Sequence, residues 1–368
     1  MTDSLTDPSP ISEAGEPAAI VTGPAVVTAG APADSAATSL DPIDFTFDSA
    51  DGESAVHAVL WLPASLREDR ALGAGKSLGT FRPRGVVQLI HGMAEHIGRY
   101  DDFARCLARA GYLVCGHDHV GHGDTAPTAA HRGRMHPVRG GDALVADVQS
   151  LRLLVSQQVA AEVPYFMFGH SMGSLVLRNY LPRFGRGLAG AVLCGTANQP
   201  EVVATAGNVL ARAIVKVRGA DYKSRLLHSL ADGAYSHQVK DARTPFDWLS
   251  RDPAVVDAFI ADERAGFMFS AGAYATLTEL AARANSPAAY RATPHEVPLL
   301  FVAGDADPVG DCGRGVARAA ESMERAGGED VTLKLFPAMR HEILNEIGRE
   351  EVYDFVLEWI NAHNQGRA

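Results

Sequence analysis

The segment Gly169-His170-Ser171-Met172-Gly173 places a serine midway between two glycines. A serine hydroxyl is a weak nucleophile. It becomes a useful one only when a sharp turn presents it, a base accepts its proton and N–H donors meet the negative charge that develops. The flanking residues supply the turn. Pro164 to Phe168 reads as a strand and the run from Leu175 as a helix, so Ser171 falls at a strand-to-helix corner. Side chains at the two glycine positions would collide with neighbouring backbone there. A helix beginning just past Ser171 directs its free N–H groups and positive dipole end at that charge. The competing reading, a glycine-rich phosphate turn, calls for a Lys or a longer glycine loop.

Such a serine needs a histidine base oriented by a carboxylate, and on a strand-turn-helix scaffold these follow in the order serine, acid, histidine. Downstream, Leu299-Leu300-Phe301-Val302-Ala303-Gly304-Asp305-Ala306-Asp307 sets acids just past a strand, and Asp311 follows closely. Asp305 and Asp307 are both candidates, with Asp311 a weaker third. Leu333-Lys334-Leu335-Phe336-Pro337-Ala338-Met339-Arg340-His341 then puts a histidine in the loop after the last strand. His341 is the candidate base; His363, near the C-terminal end, reads as solvated. One oxyanion donor should come from the loop after the strand at 86–90, where Gly92 lets the backbone turn so that the Met93 N–H can face Ser171. The N–H of Met172 is the second.

These residues require a scaffold, and the hydrophobic rhythm describes one. Residues 45–47 and 55–61 alternate as an antiparallel pair around a turn at Asp51-Gly52, and residues 67–84 read as a loop. Apolar runs at 86–90, 112–115, 165–168, 191–194, 299–303 and 331–336 then alternate with helical spacing at 103–110, 143–160, 175–184, 313–326 and 352–362. Continuous apolar strands alternating with helices predict an α/β fold with a mainly parallel central sheet covered on both faces. About a hundred residues between Cys194 and Leu299 break the rhythm and read as helices and loops, including 202–217 and 253–261. They predict a helical cap (199–290) inserted after a late strand of a core made of 41–198 and 291–368. Residues 1–40, rich in Ala, Pro, Ser, Thr and Asp, read as a disordered acidic tail.

Composition narrows the partners. The chain has 368 residues, 46% hydrophobic and 21% charged, with a net charge of −11. Residues 1–66 hold ten acids and no Lys or Arg, so the remainder is close to neutral and offers no basic stripe for nucleic acid. Cys106, Cys115, Cys194 and Cys312 are widely spaced and read as reduced, packed thiols. The start carries Asp3 and Asp7 instead of a basic region, and no apolar run approaches the ~20 residues of a membrane helix. A cytoplasmic location is expected. His117, His119 and His122 form an H-x-H-x-x-H run, but Asp118 and the glycines around it fit a turn packed beside the site, and the serine machinery calls for neither metal nor cofactor.

Three segments together resemble the monoacylglycerol lipase/lysophospholipase branch of the α/β-hydrolases, the serine aminopeptidase-type lipases. They are the His91-Gly92-Met93-Ala94-Glu95-His96-Ile97-Gly98-Arg99-Tyr100 run, Gly116 to Gly123, and Gly169 to Gly173. The likeness runs from about Ile43 to the C-terminus and is weakest in the cap. It implies the α/β-hydrolase fold and a serine carboxylic-ester hydrolase cleaving monoacylglycerol- or lysophospholipid-like esters. It further implies Asp307 as the triad acid, Met93 and Met172 as oxyanion donors, and Glu95 and Arg99 near the alcohol end of the substrate. Met93 is bulkier than the Gly or Ala common there. In the cap, Phe267 and Phe269, with 209–217, are apolar enough to line an acyl pocket, although ordinary packing also accounts for them. The expected partner is a small acyl ester or lipid, and any transient membrane-surface contact would run through the cap. Two other readings stand beside this one: an aminopeptidase or amide or C–C hydrolase on the same scaffold, and a non-catalytic binding protein, which would need a broken triad.

Overall fold

A computed structural model describes residues 41–66, 81–231 and 233–364. The expectations for residues 1–40 and most of the 67–84 loop lie outside the described residues. Eight strands form one sheet: β1 (Ile43–Asp48), β2 (Ala55–Trp61), β3 (Val86–Ile90), β4 (Leu113–His117), β5 (Tyr165–His170), β6 (Gly190–Cys194), β7 (Leu299–Gly304) and β8 (Val331–Phe336). Their spatial order is β1-β2-β4-β3-β5-β6-β7-β8. β2 runs antiparallel to β1 and β4, and every other neighbour is parallel.

Every residue of β3 to β7 is buried, as the unbroken apolar runs require, and successive side chains feed opposite faces. Val86 and Ile90 join one core and Val87 and Leu89 the other; Leu299 and Phe301 part from Leu300 and Val302 in the same way. The second of these cores is closed by α1 (Asp101–Arg109) and α11 (Arg349–His363), through Phe103, Leu107, Val352, Val356 and Trp359. The first is closed by α2 (Gly140–Ser156), α3 (Met172–Phe184) and α10 (Arg314–Arg325). Between β6 and β7 the described residues form α4 (Glu201–Arg218), α5 (Arg225–Ala231), α6 (Gly233–Ser236), α7 (Pro253–Ala261), α8 (Ala271–Ala284) and α9 (Pro287–Ala292). Asp252, Ser270 and Ser286 cap α7, α8 and α9 through their side-chain oxygens.

One buried acid ties the first hairpin to the body. Asp147 of α2 accepts the Ser49 hydroxyl at 2.8 Å and the Ala50 N–H at 2.7 Å. Burial raises its carboxyl to about 7, outweighing the hydrogen bonds that pull it down. A folded-state pKa above the unfolded one makes the folded protein bind the extra proton, so stability is lost as pH rises toward 7. Asp147→Asn, which stays neutral, should therefore gain on the wild type as pH climbs. The difference in Tm is expected to widen by about 2–4 °C between pH 5 and 8, read by thermal melts across that range; a constant difference would refute the linkage.

Candidate active site

β5 ends at His170 and α3 begins at Met172, which leaves Ser171 alone at the corner with φ 53° and ψ −119°. Residues with side chains rarely occupy this region, and contacts on both sides fix it here. The Ser171 N–H donates to the Cys194 carbonyl at 2.9 Å, while its own carbonyl accepts the Ser174 N–H at 3.0 Å and the Ser174 hydroxyl at 2.6 Å. A β-carbon at position 173 would sit 2.1 Å from the Ile90 carbonyl oxygen, so only glycine lets α3 approach β3 this closely. Although Ser171 occupies the N-cap position of α3, its hydroxyl makes no capping bond and remains free for other chemistry.

The histidine and one of the acids meet. His341 Nδ1 lies 2.9 Å from Asp307 Oδ2, and both side chains are almost wholly buried. The other Asp307 oxygen accepts the Val309 N–H at 2.9 Å. Asp305 faces solvent and holds the His341 loop from beneath by accepting the Ala338 N–H at 2.6 Å, and Asp311 pairs with Arg314 and Arg318. Burial alone would depress His341. The Asp307 charge and hydrogen bond, with Glu342 and Glu95 farther out, overcome it and raise the imidazole above its usual 6.5. The end of β6 joins the two halves: Cys194 holds the Ser171 N–H, and a β-carbon on the next residue, Gly195, would lie 3.1 Å from His341 Cε1.

The loop after β3 lies against Ser171, since a β-carbon at Gly92 would be 3.1 Å from Ser171 Cβ. Among the described residues neither the Met93 nor the Met172 N–H donates to a protein acceptor, so both could meet an oxyanion. Glu95 pins this loop: its Oε1 accepts the Gly92 N–H at 2.5 Å and the Tyr100 hydroxyl at 2.8 Å. Burial works against the Glu95 charge, but Arg99 and nearby groups hold the carboxyl down at about 2. Arg99 contacts Glu95 at 2.9 Å and makes a bidentate pair with Glu342 at 2.5 and 2.6 Å. Glu342 immediately follows His341, and no spacing signal marked it in the sequence.

The buried histidines behind the loop serve as backbone anchors. His91 Nε2 accepts the His119 N–H at 2.9 Å, and His122 Nε2 accepts the Ala94 N–H at 3.2 Å. Burial lowers all of His91, His117, His119 and His122, with His117 and His122 near 3, so they stay neutral. Among the described residues, the three close enough to share a cation are instead His57, Asp118 and Asp124. There His57 contacts Asp118 and Asp44 at 2.9 Å each, and despite burial Asp118 helps raise it to about 9. His57 is thus itself the cation of that cluster. Phe269 is fully buried and Phe267 partly so; both rings stand 5.3 Å from His122. They lie beside the loop after β3, whose Ala94 carbonyl accepts the Gly266 N–H at 2.8 Å. From the other side the Trp248 ring packs tilted against His341, with centroids 5.2 Å apart, and the Trp248 and Leu249 carbonyls accept the N–H groups of His341 and Glu342. No motif or spacing marked Trp248 as a neighbour of His341.

A mainly parallel sheet presenting a serine on a strand-to-helix corner is the signature of the α/β-hydrolases, and the chain is a serine hydrolase of that class. A family model described as serine aminopeptidase, S33, matches residues 82–348, and the chain belongs to this family, within its monoacylglycerol lipase-like branch. It is 33% identical to the monoacylglycerol lipase of Mycolicibacterium smegmatis over 76% of this chain and 89% of that protein. Mouse monoglyceride lipase is 30% identical over 76% of this chain and 82% of its own length. Among solved structures, a thermostable carboxyl esterase from Bacillus coagulans in complex with glycerol superposes with a TM-score of 0.78 at 30% identity, covering 89% of this chain and all of the esterase chain. Taken together, these relatives mark an ester hydrolase. Among the described residues no helix is long and apolar enough to cross a membrane.

The corner gives a stability test. Gly173→Ala forces a methyl onto the Ile90 and His91 carbonyls, where no flexible side chain can yield. A loss of about 1–3 kcal/mol is expected, read as a lower denaturation midpoint together with reduced activity; a wild-type midpoint would show that α3 can retreat.

Proposed function

We propose that this chain hydrolyses monoacylglycerol- or lysophospholipid-like esters through an acyl-enzyme on Ser171. The observation that carries the reading is the buried His341–Asp307 hydrogen bond at 2.9 Å, held by the loops after β7 and β8 while β5 and β6 hold Ser171. In this reading His341 takes the Ser171 proton as Oγ attacks the ester carbonyl, and Asp307 stabilises the imidazolium. The Met93 and Met172 N–H groups receive the oxyanion. Collapse of the tetrahedral intermediate expels the alcohol, which takes its proton from His341. Water then attacks the acyl-enzyme, giving its proton to His341, and the carboxylic acid leaves as Ser171 recovers its own. Phe267 and Phe269 lie where they could border the acyl chain, and residues 199–290 act as the cap. Val202 and Val217 on α4, 77% and 79% exposed, would give the cap an apolar face for transient contact with lipid.

The family's description as serine aminopeptidase favours a second reading, an aminopeptidase. A free substrate amine would need unpaired acids near the site. Asp247 is bonded to Thr244 and the Arg243 N–H, Asp252 caps α7, Asp257 pairs with Arg243 and Asp262 pairs with His96, while Glu263 is exposed at the surface, so these acids form no cluster for an amine. The ester reading therefore takes precedence. A binding protein without catalysis would need a broken triad, and Ser171, Asp307 and His341 are all present.

The purified chain should cleave monoacylglycerols and p-nitrophenyl esters and label with a fluorophosphonate probe, and Ser171→Ala should abolish all three. Asp307→Asn should lower kcat by about 10⁴-fold. Preference for a prolyl amide over both esters would instead support the aminopeptidase. Because His341 must be neutral to act as base and its pKa is raised, the rising limb of kcat/KM against pH should have its midpoint above 6.5. A midpoint well below that value would point to another base.

A further inference from the structure

Arg99 touches both of the loops the proposed chemistry depends on. Toward the loop after β3 it grips Glu95, whose other oxygen holds the Gly92 N–H, one residue before Met93. Toward the loop after β8 it takes both oxygens of Glu342, the residue next to His341. The Arg99 side chain is only 10% exposed, and its Cζ lies over the Phe259 ring of α7, 4.7 Å from the ring centre. Two carboxylates therefore occupy its donors and an aromatic ring covers it, so little of the group remains to receive a substrate hydroxyl.

We infer that Arg99 is a positioning residue: with Glu95 and Glu342 it locks the oxyanion donor at Met93 and the base His341 into one register. The inference rests on the reading of His341 as base and replaces the substrate-contact role that the family resemblance implies for Arg99. Its chemical logic is that of a fork. A guanidinium fixes two planar carboxylates in direction as well as distance, which the ammonium of lysine cannot do. An oxyanion hole and a base that drift apart by a fraction of an ångström both lose the transition state, whatever alcohol the ester carries.

Two variants test this. Arg99→Lys keeps the charge and loses the fork. If Arg99 positions, kcat should fall about ten-fold on a monoacylglycerol and on the p-nitrophenyl ester of the same acyl chain alike, with KM within two-fold, and fluorophosphonate labelling of Ser171 should slow in step. Glu342→Gln removes one of the anions facing His341. The groups around that ring are Asp307, Glu342, Glu95 and His170, so losing a negative charge lowers the base's pKa. The rising limb of kcat/KM should then move to lower pH, a shift that a merely structural role would not produce. The inference is overturned if Arg99→Lys raises KM for the glyceride alone while the aryl ester is cleaved normally, for Arg99 would then be a substrate contact. It is also overturned if both variants keep wild-type kcat and pH profile. Failure of the underlying reading would look different: Ser171→Ala would retain activity, or wild type would not label. A thermal melt of each variant separates lost register from lost fold.

Discussion

The site hangs on one unfavourable backbone conformation, that of Ser171. A residue with a side chain at φ 53° and ψ −119° costs on the order of 1–3 kcal/mol, and something must hold it there. Three strands share the task. β5 delivers the chain to the corner, the last residue of β6 accepts the Ser171 N–H, and the carbonyls at the end of β3 press against Gly173 so that α3 leaves at one angle only. A slip of any of these strands by one residue would exchange the faces of its buried side chains as well as release the serine. The apolar runs of β3, β5 and β6 therefore serve the site as much as the core.

Charge is arranged around that corner with equal economy. His170 and His341 stand 4.7 Å apart, yet burial and the neighbouring His341 push the first down to about 4, while Asp307 carries the second upward against burial. Two neighbouring imidazoles are thereby shifted in opposite directions, the upward shift going to the one that a carboxylate hydrogen-bonds. Behind them His119 and His122 of the loop after β4 remain neutral, and each turns its Nε2 to a backbone group of the loop after β3, the His91 carbonyl and the Ala94 N–H respectively. Where a histidine in this region is cationic, at His57, it lies outside the ring of loops around Ser171 and anchors Asp118, which in turn receives the Ile97 N–H.

What could be read in the sequence was what depends on period and chain order. The eight strands lie within a residue or two of their apolar runs, and α7 coincides with 253–261 because Asp252 and Pro253 start it and no apolar neighbour overrides them. α2 begins three residues early, at Gly140, where the absence of a side chain lets it approach Thr276 of α8; it stops at Ser156, after which Ala160 turns to bond with Phe81. Asp305 and Asp307 were equivalent by spacing, and only the path of the His341 loop separates them, since Asp305 binds its backbone and Asp307 its imidazole. Glu342 and Trp248 left no trace in one dimension. Their meaning comes from partners 243 and 93 positions away, Arg99 and His341.

Those distant partners bear on how the insertion between β6 and β7 relates to the site. Its residues 247–250 supply carbonyls to Arg340, His341 and Glu342, and Gly266 donates to Ala94 in the loop after β3. The insertion is thus bonded to both loops that flank Ser171, and swinging it as a rigid whole would break the backbone contacts of His341. α4 is attached differently. Its polar side chains Asn208 and Arg212 reach only α8, and among the described residues it makes no hydrogen bond to either loop. Of the insertion's two kinds of attachment, those at 247–250 and 266 belong to the framework that holds the His341 loop and the loop after β3. Those of α4 run to α8 and leave both loops untouched, so a shift of α4 against α8 would not by itself disturb the residues around Ser171.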